Sequence, residues 1–303
     1  MRLGDNHNKA KAMIPGFQQR RIKTAKVEIN LEMGGSGPPL LLLHGYPQTH
    51  VMWHRVAPVL ARRFTVVTPD LRGYGDSEKP AGDPEHVRYA KRTMAKDQVA
   101  VMAALGFPRF GLVGHDRGGR VAHRLALDHR AAVSRLAVLD IVPTLAMFAK
   151  LDRPKALGYY HWFFLAQRFD LPERLIGGQP DLYLERLLGG LSAEREAFTP
   201  EAMAEYRRCF RDPATIHATC EDYRAGAGID LQHDEADLAD KLACPMLVLW
   251  GAKSGTGQQF DVLACWRERA LEVRGHALPC GHFLAEEAAA ATAEGLLDFF
   301  AAA

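Results

Sequence analysis

An aspartate, Asp116, stands where chains of a familiar type present a serine. A short apolar run, 110–113, turns through Gly114-His115-Asp116-Arg117-Gly118 into a helical pattern, 118–129. This is the strand–turn–helix of a nucleophile elbow, usually Gly-x-Ser-x-Gly. An aspartate opening a helix also satisfies the capping preference and the helix dipole. The flanking glycines and the preceding apolar run favour the nucleophile reading. A carboxylate is already ionised at neutral pH, attacks an sp3 carbon and leaves an alkyl ester; it does not run serine-type acyl transfer. Hydrolysis of that ester needs a base with a carboxylate behind it. His282 lies in Pro279-Cys280-Gly281-His282-Phe283, after the last strand-like run, in the chain order nucleophile, acid, histidine. His276 is its competitor and reads as the end of a strand. The loop after Trp250, where such an acid commonly sits, reads Gly251-Ala252-Lys253-Ser254-Gly255-Thr256-Gly257 and holds none. The strand before it ends in Asp140, so elimination makes Asp140 the third member.

Attack on the ester carbonyl places an oxyanion beside Asp116. Its expected donors are the backbone N–H groups of Arg117, the residue after the nucleophile, and Tyr46, in the turn His44-Gly45-Tyr46-Pro47. His44 reads as a buttress of that turn. Arg117 and Arg120 lie three apart in a first helical turn, where cations oppose the dipole. Asp116 could neutralise one of them. A substrate carboxylate gripped by guanidinium forks suits both.

These residues need a scaffold. Apolar strand-like runs at 39–43, 64–68, 110–113, 136–140, 246–250 and 270–273 alternate with helical stretches, notably 94–105, 118–129 and 284–300. That pattern predicts a mostly parallel sheet covered on both faces; 26–31 reads as an early, half-exposed strand. The 303 residues, 48% hydrophobic, suffice for one large core with an insertion. Residues 145–228 lack buried-strand runs and are helical and aromatic, so they form a helical cap between two core parts, 13–144 and 229–303. Residues 1–12 read as a disordered extension. The stretch Met1 to Arg21 is polar and basic with no apolar stretch of a secretory signal. A net charge of +2 gives no bulk electrostatic case for nucleic acid or membrane binding, and no apolar run reaches spanning length. Five cysteines without C-x-x-C spacing fit reduced, packed thiols in a cytoplasmic protein rather than disulfides or zinc. Cys280, near His282, reads as one of them. No metal or organic cofactor is implied.

The ordered motifs HGYP, DLRGYGDS, GHDRGGR, LDIVP, YYHW, EDYRAG and CGHF resemble α/β-hydrolases of the haloacid-acting, fluoroacetate dehalogenase family, from about Met13 onward. The first two motifs are widely shared; GHDRGGR combined with a cap His-Trp and a later cap Tyr is more specific. The resemblance implies an α/β-hydrolase fold and hydrolytic dehalogenation of short 2-haloacids, and it also selects Asp116, Asp140, His282, Arg117 and Arg120. It implies that His161, Trp162 and Tyr223 bind the departing halide, and that the chain forms a homodimer. One departure is visible: relatives often carry a bulky cap Trp some thirty residues after His-Trp, whereas this chain has Leu187-Leu188-Gly189-Gly190-Leu191-Ser192. Leu191 then predicts a roomier or reshaped pocket. Two rival readings stand beside this one. An epoxide hydrolase would share the Asp–His–acid machinery and use Tyr159 or Tyr160 with Tyr223. A non-catalytic binding protein of the same fold would carry the residues without turnover.

Overall fold

Gly114 and Gly118 show how tightly this chain is wound around its centre. A Cβ on Gly118 would lie 2.2 Å from the His44 carbonyl oxygen, and one on Gly114 would lie 2.6 Å from the Gly119 Cα. Two strand ends and one helix start can meet here only because these side chains are missing. The computed structural model describes residues 12–149 and 152–301; the expected extension 1–12 lies, but for its last residue, outside them.

Among the described residues eight strands form one sheet in the order β1-β2-β4-β3-β5-β6-β7-β8. They are β1 (Gln18–Lys23), β2 (Glu28–Gly34), β3 (Pro39–Leu43), β4 (Thr65–Pro69), β5 (Phe110–His115), β6 (Val133–Leu139), β7 (Met246–Gly251) and β8 (Val273–Leu278). β3 to β8 run parallel, and the β1–β2 and β2–β4 pairs are antiparallel. The central strands are apolar throughout because helices cover both faces: Leu40 to Leu43, Leu112, Val113 and Leu136 to Leu139 are all buried. The chain thus has the mostly parallel, helix-covered α/β architecture.

Two edge strands depart from the expectation. β1, Gln-Gln-Arg-Arg-Ile-Lys, is largely exposed and polar, so no apolar run announced it. β8 starts at Val273, where the predicted strand ended; Ala270 makes only an isolated bridge with Leu242. Both err for one reason: an edge strand is fixed by pairing to its neighbour, with little burial to write into the sequence. His276 consequently lies within β8, exposed and outside the site. The helix expected over 284–300 is two, Leu284–Glu287 and Ala289–Ala301, and the helix after the elbow begins at Asp116 itself.

Between β6 and β7 the described chain is helical from Thr144 to Ala236. The expected cap boundary at 228 falls between the helices Pro213–Gly226 and Ile229–Ala236. The latter turns back to the core, where Asp234 pairs with Arg124 at 2.9 Å. Among the described residues no helix is long and apolar enough to cross a membrane. Among the described residues no cluster of three or more His, Cys, Asp or Glu is placed to hold a metal ion. All five cysteines are free.

Candidate active site

The sheet delivers its chemistry at the carboxyl ends of adjacent parallel strands. β5 ends in the elbow, β6 runs into Asp140, and the loop after β8 carries His282. Asp116 (φ +48°) and Asp140 (φ +51°) both adopt the left-handed conformation that non-glycine residues rarely accept. In each case the turn projects a carboxylate off the strand end.

The Asp116 carboxylate is buried. Its Oδ1 accepts the Tyr46 backbone N–H at 2.8 Å, and its Oδ2 lies 3.9 Å from His282 Nε2. Arg117 follows in the first helical turn, where leading amides have no intrahelical acceptor. Burial by itself would raise the Asp116 pKa, but the positive surroundings of His282, His115, Arg117 and Arg120 outweigh it and hold the carboxyl below its ordinary range.

His282 Nδ1 sits 2.6 Å from Asp140 Oδ2. A carboxylate only accepts, so Nδ1 carries the proton and the Nε2 lone pair faces Asp116. Burial lowers the basicity of this ring, yet the Asp140 hydrogen bond and the charges of Asp140 and Asp116 raise it above the ordinary histidine value. The other Asp140 oxygen accepts Gly251 N at 2.9 Å and Ser254 Oγ at 2.7 Å. The acid-free loop after β7 therefore supplies the donors that orient an acid on the neighbouring strand. His44 is neutral, its pKa lowered by burial. Its Nε2 accepts Leu71 N at 3.0 Å while Nδ1 donates to the Gly45 carbonyl, the buttress expected.

The two arginines expected to form a joint clamp are held by different partners. Arg117 is fully buried and is not among the residues that line the cavity beside Asp116; its Nη1 has no hydrogen-bond partner among the described residues. Its Nε and Nη2 each lie 3.0 Å from Asp222 carboxylate oxygens, and Nη2 donates to the Asp222 carbonyl at 2.7 Å. Asp222 also pairs with Lys91 and accepts the Tyr74 hydroxyl at 2.6 Å. The unfavourable cation next to the nucleophile is thus neutralised from a helix 105 residues downstream, a partner that local spacing cannot reveal. Arg120 bonds no carboxylate among the described residues. Its Nη1 donates to the Val142 carbonyl (3.1 Å) and Thr144 Oγ1 (3.0 Å), and its Nε is buried without an acceptor. Burial and the nearby Arg117 bring its pKa down to about 10, so it remains charged at neutral pH.

Arg120 and Asp116 line a cavity of about 50 Å³ together with Tyr46, Tyr159, Leu191 and His282. Its cap wall brings His161, Trp162 and Tyr223 together. The Tyr223 ring lies 5.9 Å from His161 and 5.8 Å from Trp162, both edge to face. The Tyr223 hydroxyl and His161 Nδ1 are buried without partners. Burial drives the His161 pKa down to about 3, leaving a neutral ring, and raises that of the Tyr223 phenol well above normal. Tyr160 is largely exposed and does not line the cavity. Tyr159 does, with its hydroxyl 3.3 Å from Thr256 Oγ1.

Sequence reasoning missed three supports. His115 Nε2 bonds the His282 carbonyl oxygen at 2.8 Å, and burial brings that imidazole down to about 4. Glu287 accepts the Gly281 and Phe283 amides at 2.9 Å each, on either side of His282, and the Ala193 amide of the cap at 2.8 Å. His282 N in turn donates to the Leu191 carbonyl at 3.1 Å. Asp222 is the third, and its place beside Tyr223 in a motif already singled out was the one available signal. Cys280 is buried, its thiol pushed up to about 12 by burial, and takes no part.

Residues 38–289 match the family described as the alpha/beta hydrolase fold. A fluoroacetate dehalogenase from Burkholderia sp is 49% identical over 95% of both chains. A soluble epoxide hydrolase from Corynebacterium sp. (strain C12) is 38% identical over 96% of both. Among solved structures, an α/β hydrolase-type protein from Nostoc sp PCC 7120 superposes with a TM-score of 0.93 at 58% identity, covering 94% of this chain and 98% of that one.

Proposed function

This chain belongs to the α/β-hydrolase family, and from that premise we propose that it hydrolyses short 2-haloacids, fluoroacetate foremost, to the 2-hydroxy acid and halide. One observation carries the reading: Arg120 is a buried cation with no carboxylate bonded to it among the described residues, lining the same small cavity as a buried, ionised Asp116. An unpaired buried charge is costly and calls for an anionic ligand. The cavity volume corresponds to about three to five water-sized groups, which suits a haloacetate and excludes a bulky aryl substrate. A neutral epoxide would leave Arg120 uncompensated. The likeness to a fluoroacetate dehalogenase over nearly the whole chain supports the same choice.

With the carboxylate on Arg120, the α-carbon stands before Asp116 Oδ2. That oxygen forms the new C–O bond as the C–halogen bond breaks, inverting the carbon. Arg117 supplies its backbone N–H and, from behind the Tyr223 ring, 4.1 Å away, its charge. The halide leaves toward His161, Trp162 and Tyr223, whose donors replace its hydration. Fluoride, the poorest halide leaving group, gains most from them. Oδ1, already on the Tyr46 amide, becomes the ester carbonyl oxygen and stays in place as the oxyanion forms. His282 Nε2 then takes a proton from water, which attacks the ester carbonyl, while Asp140 holds the imidazolium. We further propose that the site is completed within one chain and that the protein associates as a homodimer in the cytoplasm.

Incubation with fluoroacetate, chloroacetate and styrene oxide, reading fluoride, chloride and diol, tests this directly. Turnover of the haloacids is expected; turnover of the epoxide alone overturns the reading, and silence on all three favours a binding role. Asp116→Asn should abolish halide release with folding intact. His282→Asn should accumulate a covalent ester on Asp116, seen as a mass increase, and failure to accumulate it would remove His282 as the base.

A further inference from the structure

We propose that the same cavity hydrolyses short epoxy-acids, with oxirane-2-carboxylate the simplest, to 2,3-dihydroxy acids. The proposal rests on the roles given above to Asp116 and Arg120, and adds a second class of leaving group, an alkoxide that stays tethered to the substrate.

The leaving-group end of the cavity carries more than a halide needs. A departing halide requires hydrogen bonds, whereas a departing alkoxide requires a proton. Tyr223 holds a transferable one: its hydroxyl is buried without a hydrogen-bond partner among the described residues, and Tyr223 lines the same cavity as Asp116. Tyr46 also lines the cavity with a buried, unpartnered hydroxyl, but its backbone N–H ties it to the Asp116 side of the site and its phenol neighbours Tyr183. The remaining candidates are committed or absent. Thr256 Oγ1 donates its own proton to the Asp140 carbonyl oxygen at 3.1 Å, so the Tyr159 hydroxyl, 3.3 Å away, donates to Thr256 and keeps its proton occupied. Tyr160 is 49% exposed and outside the cavity. His161, a neutral ring beside Tyr223, can assist by hydrogen bonding.

Arg120 decides which epoxide. A neutral oxirane leaves that buried cation unpaired, but an oxirane bearing a carboxylate satisfies it. Oxirane-2-carboxylate has only a single heavy atom more than a haloacetate, so the small cavity that rejects an aryl epoxide accommodates it. The carboxylate on Arg120 sets C2 before Asp116, as it sets the α-carbon of a haloacid. Asp116 Oδ2 forms a bond to C2, the C2–O bond breaks, and its electron pair goes to the ring oxygen, which takes the Tyr223 proton. Water then loses a proton to His282 and adds to the ester carbonyl. The acyl C–O bond breaks, the departing hydroxyl oxygen takes the proton back from His282, and the Asp116 carboxyl proton returns to the Tyr223 phenolate. One water is consumed and C2 is inverted.

Single enantiomers of oxirane-2-carboxylate should therefore give glycerate inverted at C2. With enzyme in excess in 18O-water, the first-turnover product should be unlabelled, with the label left on Asp116. Chloroacetate is the control on the same preparation. Chloride release without glycerate formation would overturn this proposal and leave the haloacid reading standing; loss of both reactions takes down both. Tyr223→Phe separates acid catalysis from shape. It should slow the epoxy-acid by about 100-fold or more, the usual worth of a general acid, and chloroacetate by roughly tenfold or less, since chloride leaves without a proton. Equal losses on the two substrates would refute the acid role.

Discussion

Arg120 and Arg117 are both buried arginines in one helical turn, yet replacing them by leucine should break different properties. Arg117 forms a two-pronged pair with Asp222 in which neither side chain is exposed. Removing one partner of such a pair costs about 3–5 kcal/mol, because the other charge stays buried. Lys91 and the Tyr74 hydroxyl still hold Asp222, which favours the lower half of that range. Arg120 bonds no carboxylate among the described residues, although its charge acts on Asp116. Arg120→Leu abandons the Val142 carbonyl and the Thr144 hydroxyl, a cost of about 1–2 kcal/mol. It also removes a buried cation that bonds no carboxylate and places an alkyl group against the Trp162 ring, whose centroid is now 4.4 Å from the guanidinium carbon. The net change in stability should stay within about 1 kcal/mol. Its effect on substrate should be large: truncating one partner of a buried charge pair costs about 2–5 kcal/mol. A middle value of about 3 kcal/mol raises KM for chloroacetate roughly 150-fold. Urea unfolding and steady-state halide release on both variants give the two numbers. An unchanged KM in Arg120→Leu would remove it from the carboxylate site. Equal destabilisation of the two variants would refute the division of roles argued from Asp222.

Other perturbations follow the same geometry. Turnover should fall as the pH drops through a His282 pKa raised above the ordinary value near 6.5, since only the neutral ring accepts a proton from water. Asp116, held below its ordinary range, should still give a first-turnover burst of halide there. Esterification removes the Asp116 charge that helps raise His282, so the acid limb of kcat, set by ester hydrolysis, should lie below the His282 pKa read by NMR in the free enzyme; coincidence of the two would argue against this coupling. Glu287→Ala frees the amides on both sides of His282. It should slow ester hydrolysis by about tenfold or more while sparing the halide burst, read by rapid quench and mass spectrometry, and equal slowing of both phases would reduce Glu287 to a fold contact. Glu286 is fully buried and its carboxyl is raised to about 8, burial outweighing the Tyr206 hydrogen bond. The folded state then keeps a proton that the unfolded chain releases above its normal range, so stability should decline as pH rises from about 5 to 8. Glu286→Gln should flatten that decline in denaturation curves; an unaltered slope would place the titration elsewhere.

Much of the fold was legible because buried parallel strands must be written as apolar runs: β3, β4, β5, β6 and β7 were all found within a few residues. The edge strands β1 and β8 were not, since their positions come from pairing with a neighbour and leave little hydrophobic trace. In the site, Asp116 was legible from its glycines, which no other turn of this closeness would demand. Asp140 emerged from what the loop after Trp250 lacks, and the structure adds that Ser254 and the Gly251 amide in that loop orient it.

Residue types and their local order thus determined that a carboxylate, a histidine and two arginines would gather at strand ends, since elbow, turn and helix start are short-range devices. Which arginine is paired by a carboxylate was decided only in three dimensions. Both cations have the same local surroundings, and the difference is a buried carboxylate, Asp222, brought in from the helix Pro213–Gly226. Electrostatic compensation inside a protein acts over ångströms of space and is indifferent to distance along the chain. The size of the cavity, the unpartnered Tyr223 hydroxyl and the Glu287 staple around His282 were decided the same way, by where the cap helices close over the sheet.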